Sequence, residues 1–247
     1  MTDGLQIHAL HTGYRKKKII DGLTTPMLPR GQITALLGPN GSGKSTLLRA
    51  LADLNPAQGQ LWLNGEDLMT LPPAKRAQKV VYLPQSLPQG VHLHALESVI
   101  VARRASGFCS GENVEQEAYD ILHKLGISHL AMSFLDQLSG GQKQRLSLAR
   151  ALADDPSILI MDDTTSAVDM ETEAEIQKHL KEMDSGKTIV TIAHRISSVK
   201  DSDLILVLEH GRIVERGTHA ELVAAHGRYW GIYHKQLGLQ SGAAQGF

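Results

Sequence analysis

The run Gly38-Pro39-Asn40-Gly41-Ser42-Gly43-Lys44-Ser45-Thr46 has the residue types needed to hold a chain of phosphates. Glycines let successive backbone N–H groups turn inward around an anion, and a helix opening at the end of the run adds positive potential. Lys44 supplies a point charge for the outer phosphates, and the Ser45 hydroxyl is a ligand suited to Mg²⁺. The spacing G-x-x-x-x-G-K-[ST] carries this meaning only between a strand and a helix. Both are expected here: residues 32–37 form an apolar strand, and Leu47, Leu48, Leu51 and Leu54 recur at helical spacing. Alone, the cradle means a nucleotide phosphate and no more, since kinases, GTPases and motors share it.

A second anion site is written at Leu138-Ser139-Gly140-Gly141-Gln142. Ser139 is a good N-cap and Gln142, three residues on, completes a capping box. The glycines allow a phosphate to come close to the helix start. The apolar run Ile158–Met161 ends in Asp162, a carboxylate that would orient Mg²⁺.

Stepping along the chain, Leu5, Ile7 and Ala9 alternate with polar residues as in a half-buried strand. Residues 60–63 and 79–83 read as strands, with a short helix between them opened by Pro72-Pro73. From 86 to 138 helical patterns dominate, as over 115–125. The runs 158–161, 188–193 and 204–208 suit strands buried on both faces. A helix is expected over 171–183 with Ile176, Leu180 and Met183 on one face, a turn at His210-Gly211, and a capping box at Thr218 and Glu221. These patterns divide the chain into an α/β core that carries the phosphate cradle over 1–85 and 145–240, a helical subdomain over 86–144 and an expected disordered tail over 241–247.

Composition narrows the class. The 247 residues are 42% hydrophobic and 21% charged with a net charge of −1, an ordinary globular balance. It gives no sign of a nucleic-acid partner, which would call for a basic surface. The basic run at residues 15–18 reads as a solvated loop. A single cysteine, Cys109, excludes an intrachain disulfide and fits a reducing cytoplasm. Residues 1–7 lack a signal-peptide pattern, and no apolar run approaches the roughly 18 residues of a membrane span. Direct membrane insertion is not expected.

With the cradle, the Ser139 pentapeptide resembles the ABC ATPase family strongly, because that pentapeptide is the family's signature. The resemblance covers about residues 5–237. It implies a P-loop NTPase: a RecA-like α/β core with an N-terminal antiparallel β subdomain and an inserted helical subdomain. It implies ATP with Mg²⁺, and a homodimer that closes head to tail on ATP binding. Ser139, Gly140, Gly141 and Gln142 would then serve the ATP held by the other copy. The remaining roles follow position by position. Gln85 matches the glutamine that contacts Mg²⁺ and water, Asp163 the catalytic base, and His194 the histidine that contacts the γ phosphate. Asp169, in Ser166-Ala167-Val168-Asp169, matches the loop that crosses the dimer interface, with Val168 where leucine is commoner. Tyr14 stands where the family often stacks a ring on adenine. Singly, a glutamine in a loop, a histidine at a strand end or an N-terminal tyrosine says little; their order around the two strong motifs gives them meaning.

The sequence departs from the family pattern at Asp163, where a glutamate is usual. The side chain is one methylene shorter, and a misplacement of about 1 Å can cost on the order of 10²-fold in rate, so slow hydrolysis is expected. The motifs also change character along the chain. Residues 37–49 and Tyr82-Leu83-Pro84-Gln85 resemble iron-siderophore and vitamin B12 importer ATPases, and Ser133-Phe134-Leu135-Asp136-Gln137 lacks the glutamate and glycine of exporters. Residues 162–169, 192–196 and 211–221 resemble exporters. Either the chain is a hybrid, natural or engineered, joined near Ser139, or it is a natural member with mixed features.

The function implied is that of an ATP-hydrolysing subunit of a transporter. It would lie on the cytoplasmic face of the membrane and drive a transmembrane permease subunit. The alternative is an ATP-dependent dimerising module that hydrolyses little. An ABC ATPase of DNA repair or translation would call for a long coiled-coil insertion or tandem cassettes, which the chain lacks.

Overall fold

The computed structural model describes residues 3–14, 17–84, 92–105, 113–162, 178, 180, 186–193 and 195–236. Its strands are β1 (Gly4–Tyr14), β2 (Lys17–Leu23), β3 (Leu28–Pro29), β4 (Ile33–Leu37), β5 (Ala57–Leu63), β6 (Glu66–Asp67), β7 (Val80–Leu83), β8 (Ile158–Met161), β9 (Thr188–Ile192), β10 (Leu204–Glu209) and β11 (Arg212–Gly217). Its described α-helices are α1 (Lys44–Leu51), α2 (Pro73–Lys79), α3 (Ala95–Ala105), α4 (Val114–Lys124), α5 (Gly140–Ala153), α6 (Ile196–Val199), α7 (His219–Ala224) and α8 (Arg228–Gln236).

Strands that are apolar at every position can only sit where both faces are covered. Every residue of β4, β8 and β9 is buried. They lie in a sheet of order β11-β10-β4-β9-β8-β7, in which β7, β8, β9, β4 and β10 run parallel and β11 is antiparallel. One face, carrying Leu36, Ile160, Val190 and Leu206, packs on Leu47, Leu48 and Leu51 of α1. The same cluster takes in Leu5, Ile7, Leu10 and Leu61 of a second, antiparallel sheet, β2-β1-β5-β6 with β3 on β1. The other face is covered in two places. Leu159, Met161 and Ile189 meet Val99, Leu122 and Leu146 of the helices α3, α4 and α5. Ala35, Leu37, Ile205 and Val207 meet Leu222 and Tyr229 of α7 and α8.

Parallel strands end on the same edge, so the loops that follow β4, β7, β8 and β9 emerge together there. The far end of α1 is fastened by Arg76, whose guanidinium donates to Ala50 O at 2.9 Å, Leu51 O at 3.0 Å and the Asp53 carboxylate at 3.1 Å. A cation there satisfies carbonyls that the helix end leaves open.

Two sequence expectations change. Ala9 does not continue the buried alternation: it takes a positive φ of 47°, the register with β5 shifts between His8 and His11, and Leu10 turns inward instead. A bulge inserts one residue and moves the inward set by one. Lys17 and Lys18 are not loop; they open β2, paired with Tyr14 and Gly13 and solvent-exposed. The helix expected over 171–183 lies outside the described residues except for Lys178 and Leu180, and Leu180 is buried in the cluster with α3–α5.

Leu48 is fully buried at the junction of both sheets. Leu48→Ala is expected to lower unfolding free energy by about 2–5 kcal/mol, read from urea denaturation as a lower midpoint at unchanged slope.

Candidate nucleotide site

β4 delivers the chain into the cradle at Gly38, whose φ is 152°. A Cβ there would stand 2.1 Å from the Leu208 carbonyl oxygen, so β4 can leave the sheet beside β10 only through glycine. At the other end Gly43 has φ 106°, and a Cβ would meet Ile20 Cδ1 of β2 at 2.9 Å. Between them the Ser42 carbonyl accepts from the Gly211 N–H of the β10–β11 turn at 2.8 Å. The loop is thus fixed from both sheets. Pro39, Asn40 and Gly41 form its exposed rim, while Ser42 and Thr46 are buried.

Lys44 is buried and its ammonium donates to Gly38 O at 2.7 Å and Pro39 O at 3.0 Å. Gly43, the N-cap of α1, offers no side chain to its first turn, and no acidic residue stands there. Helix-start N–H groups without a capping side chain are a ready anion site.

Ser45 is exposed at the mouth of the cradle and its hydroxyl donates to Asp162 Oδ1 at 2.9 Å. Asp162 follows β8, and its N–H donates to Leu83 O at 3.1 Å, pinning its backbone to β7. The Tyr82 hydroxyl donates to the other oxygen, Asp162 Oδ2, at 2.5 Å. Burial, then the hydrogen bond to this carboxylate, push the Tyr82 phenol well above its ordinary pKa, while Arg49 opposes the shift and Tyr14 adds to it. The phenol therefore stays a donor. Tyr14, half-exposed, lies close enough to Tyr82 to bear on it electrostatically. A hydroxyl and a carboxylate side by side are the oxygen set that Mg²⁺ takes when substrate phosphates complete its shell. The residues present fit that ion. Among the described residues no cluster of three or more His, Cys, Asp and Glu offers another metal site.

The capping box at Ser139 forms as the sequence suggests. Gln142 N donates to Ser139 Oγ at 3.3 Å and Ser139 N to Gln142 Oε1 at 2.9 Å, capping α5. Ser139 and Gly140 are exposed, Gly141 and Gln142 half-buried. A Cβ on Gly140 would meet nothing within 4 Å among the described residues. Gln85, Asp163, Asp169 and His194 lie outside the described residues; the strands leading to Gln85, Asp163 and His194 are β7, β8 and β9, which end on the cradle's edge. Sequence reasoning missed Tyr82 as a site residue. Its signal was faint: a hydroxyl-bearing aromatic in the strand beside the one that ends in Asp162.

Residues 25–166 match the ABC transporter family. This chain belongs to that family. The ABC fold is an α/β P-loop ATPase with an antiparallel β subdomain and helical elements, and solved ABC cassettes share it with this chain. An ATP-binding cassette of an ABC transporter in its ADP conformation superposes with a TM-score of 0.83 at 26% identity, covering 94% of this chain and 99% of that one. A bacterial Atm1-family ABC exporter with ATP bound gives a TM-score of 0.81 at 26% identity, covering 99% of this chain and 43% of the exporter. Among curated proteins, the ATP-dependent lipid A-core flippase of Cupriavidus pinatubonensis is 35% identical across 85% of this chain and 37% of its own length. The mycobactin import ATP-binding/permease protein IrtA of Mycobacterium tuberculosis is 35% identical across 94% of this chain and 27% of its own length. The ABC chain thus spans well under half of these two relatives. Among its described residues no helix is long and apolar enough to cross a membrane.

The contrast between the two glycine sites is measurable. Gly38→Ala is expected to destabilise the isolated chain by about 1–3 kcal/mol, and Gly140→Ala to leave it within about 0.5 kcal/mol, both by chemical denaturation without nucleotide.

Proposed function

We propose that this ABC chain binds and hydrolyses Mg-ATP and thereby drives a transmembrane partner, either a separate permease subunit or another part of a longer protein. The observation that carries the reading is the meeting of Ser45 and Asp162 at 2.9 Å at the mouth of the cradle that holds Lys44. In this reading residues 38–46 bind the phosphates, Lys44 pairs with the outer two, and Tyr14 stacks on the base. Ser45, Asp162 and Gln85 would hold the Mg²⁺, which would supply positive charge to offset that developing on the transferred phosphoryl group. Asp163 orients and deprotonates the attacking water, and His194 contacts the γ phosphate. Residues 86–144 form the helical unit that docks the partner.

The exposed, capped helix start at Ser139, with open space beside Gly140, supports a second role: it receives the ATP of another copy. Two chains then close head to tail over two ATPs, with Asp169 near the interface. The curated relatives' names speak of flipping and import, and the family membership supports transport as the task. The importer-like wording before Ser139 and exporter-like wording after it support a hybrid cassette, although the flippase aligns across 85% of the chain, both halves included. Superposing the halves separately on cassettes of one type tests this. Equal fit of both halves to that type removes the hybrid reading.

The shorter carboxylate at Asp163 sets the expected rate. Steady-state Mg-ATP hydrolysis should be slow, rise with protein concentration as copies pair, and increase at least about 10-fold in Asp163→Glu, within the range a general base contributes. A rate that is independent of concentration contradicts pairing. A rate unchanged or lowered in Asp163→Glu contradicts the assignment of Asp163. Nucleotide binding without turnover in either form favours a module that closes on ATP and hydrolyses little.

A further inference from the structure

Asp162 is held at both carboxylate oxygens by different elements. Ser45 at the start of α1 donates to Oδ1 at 2.9 Å, and Tyr82 of β7 donates to Oδ2 at 2.5 Å. The Asp162 backbone is itself tied to Leu83 of the same strand, through a 3.1 Å hydrogen bond to its carbonyl. A carboxylate tied at one oxygen only can rotate about its last bond; tied at the second, it presents a fixed lone pair to whatever stands beside Ser45. Tyr82 is half-buried and packs on the cluster beneath α1, so its ring cannot swing freely from the carboxylate. Partners that orient a metal-binding group from behind typically change metal affinity 10–100-fold when removed.

We propose that Tyr82 is a positioning residue that fixes the Asp162 carboxylate for Mg²⁺, so that the Mg²⁺ requirement of nucleotide binding is set partly by the phenol hydroxyl. The proposal rests on the Mg-ATP reading of the cradle. Tyr82 touches neither phosphate nor metal in this scheme. Its contribution belongs to the metal-dependent part of binding and leaves the metal-free part to the cradle's backbone and Lys44.

The experiment is equilibrium binding of a fluorescent ATP analogue to the purified chain, first in EDTA and then across a Mg²⁺ titration. It is made on wild type, Tyr82→Phe, Asp162→Ala and the double variant. The Mg²⁺ concentration giving half of the affinity gain should rise about 10-fold in Tyr82→Phe, with metal-free affinity unchanged. In the Asp162→Ala background the same change should have no effect, because no carboxylate remains to be positioned. An unchanged or lowered Mg²⁺ requirement in Tyr82→Phe overturns the proposal. So does a loss of metal-free binding or of folding, which marks the phenol as structural, or an equal effect with and without Asp162. If wild type binds nucleotide with no Mg²⁺ dependence at all, the Mg-ATP reading fails instead, and the two failures are told apart by that one curve.

Discussion

The cradle exists because β4 leaves the sheet where there is no room for a side chain. Gly38 passes so close to the Leu208 carbonyl of β10 that a Cβ would overlap it, and the loop is then closed on its other side by Ile20 of β2 and by the Gly211 N–H. Backbone packing of this kind does not relax as a flexible side chain would, because strands joined by hydrogen bonds move only together. The loop's shape is therefore imposed by two sheets. Preorganisation matters here, since a site that must be ordered on binding loses affinity to the ordering.

Topology supplies the rest of the site. The parallel order β7-β8-β9-β4-β10 sends the chain out of the sheet at one edge five times over. The Ser45 hydroxyl and the Asp162 carboxylate, far apart in sequence, meet because α1 begins beside the end of β8. The same arrangement places Tyr82 behind that carboxylate. The capped helix start at Ser139, on α5, belongs to the helices packed on the opposite face of the sheet. Its cap is satisfied internally by Ser139 and Gln142, in contrast to α1, whose first turn has no side-chain cap. A helix start that already has its cap can stand exposed, its first-turn N–H partly satisfied by its own side chains.

Much of this was legible in the residues. The fully apolar runs at 158–161, 188–193 and 204–208 announced strands covered on both faces, and β8, β9 and β10 lie there within a residue. The caps at Ser139 and Thr218 were written in side-chain chemistry and formed as written. The antiparallel sheet was harder. Its strands are short or interrupted: the bulge at Ala9 breaks the alternation, β3 and β6 are two residues each, and β2 opens with lysines that read as loop. Such segments become strands only because β1 lies beside them, and that partner is a tertiary fact. Tyr82 escaped notice for the same reason. Nothing local to a tyrosine in a strand tells which carboxylate the neighbouring strand will bring to it.

The account rests on Mg-ATP being held at the cradle through Lys44, and isothermal titration of ATP into the purified chain, with Mg²⁺ and with EDTA, tests that most directly when wild type and Lys44→Ala are compared. The account predicts saturable binding by wild type that Mg²⁺ strengthens, and a loss of about 10–100-fold in Lys44→Ala, the size expected when a charge-assisted contact to phosphate is removed. Equal affinity in the two proteins would place the nucleotide somewhere other than the loop between β4 and α1, and would contradict the account at its root.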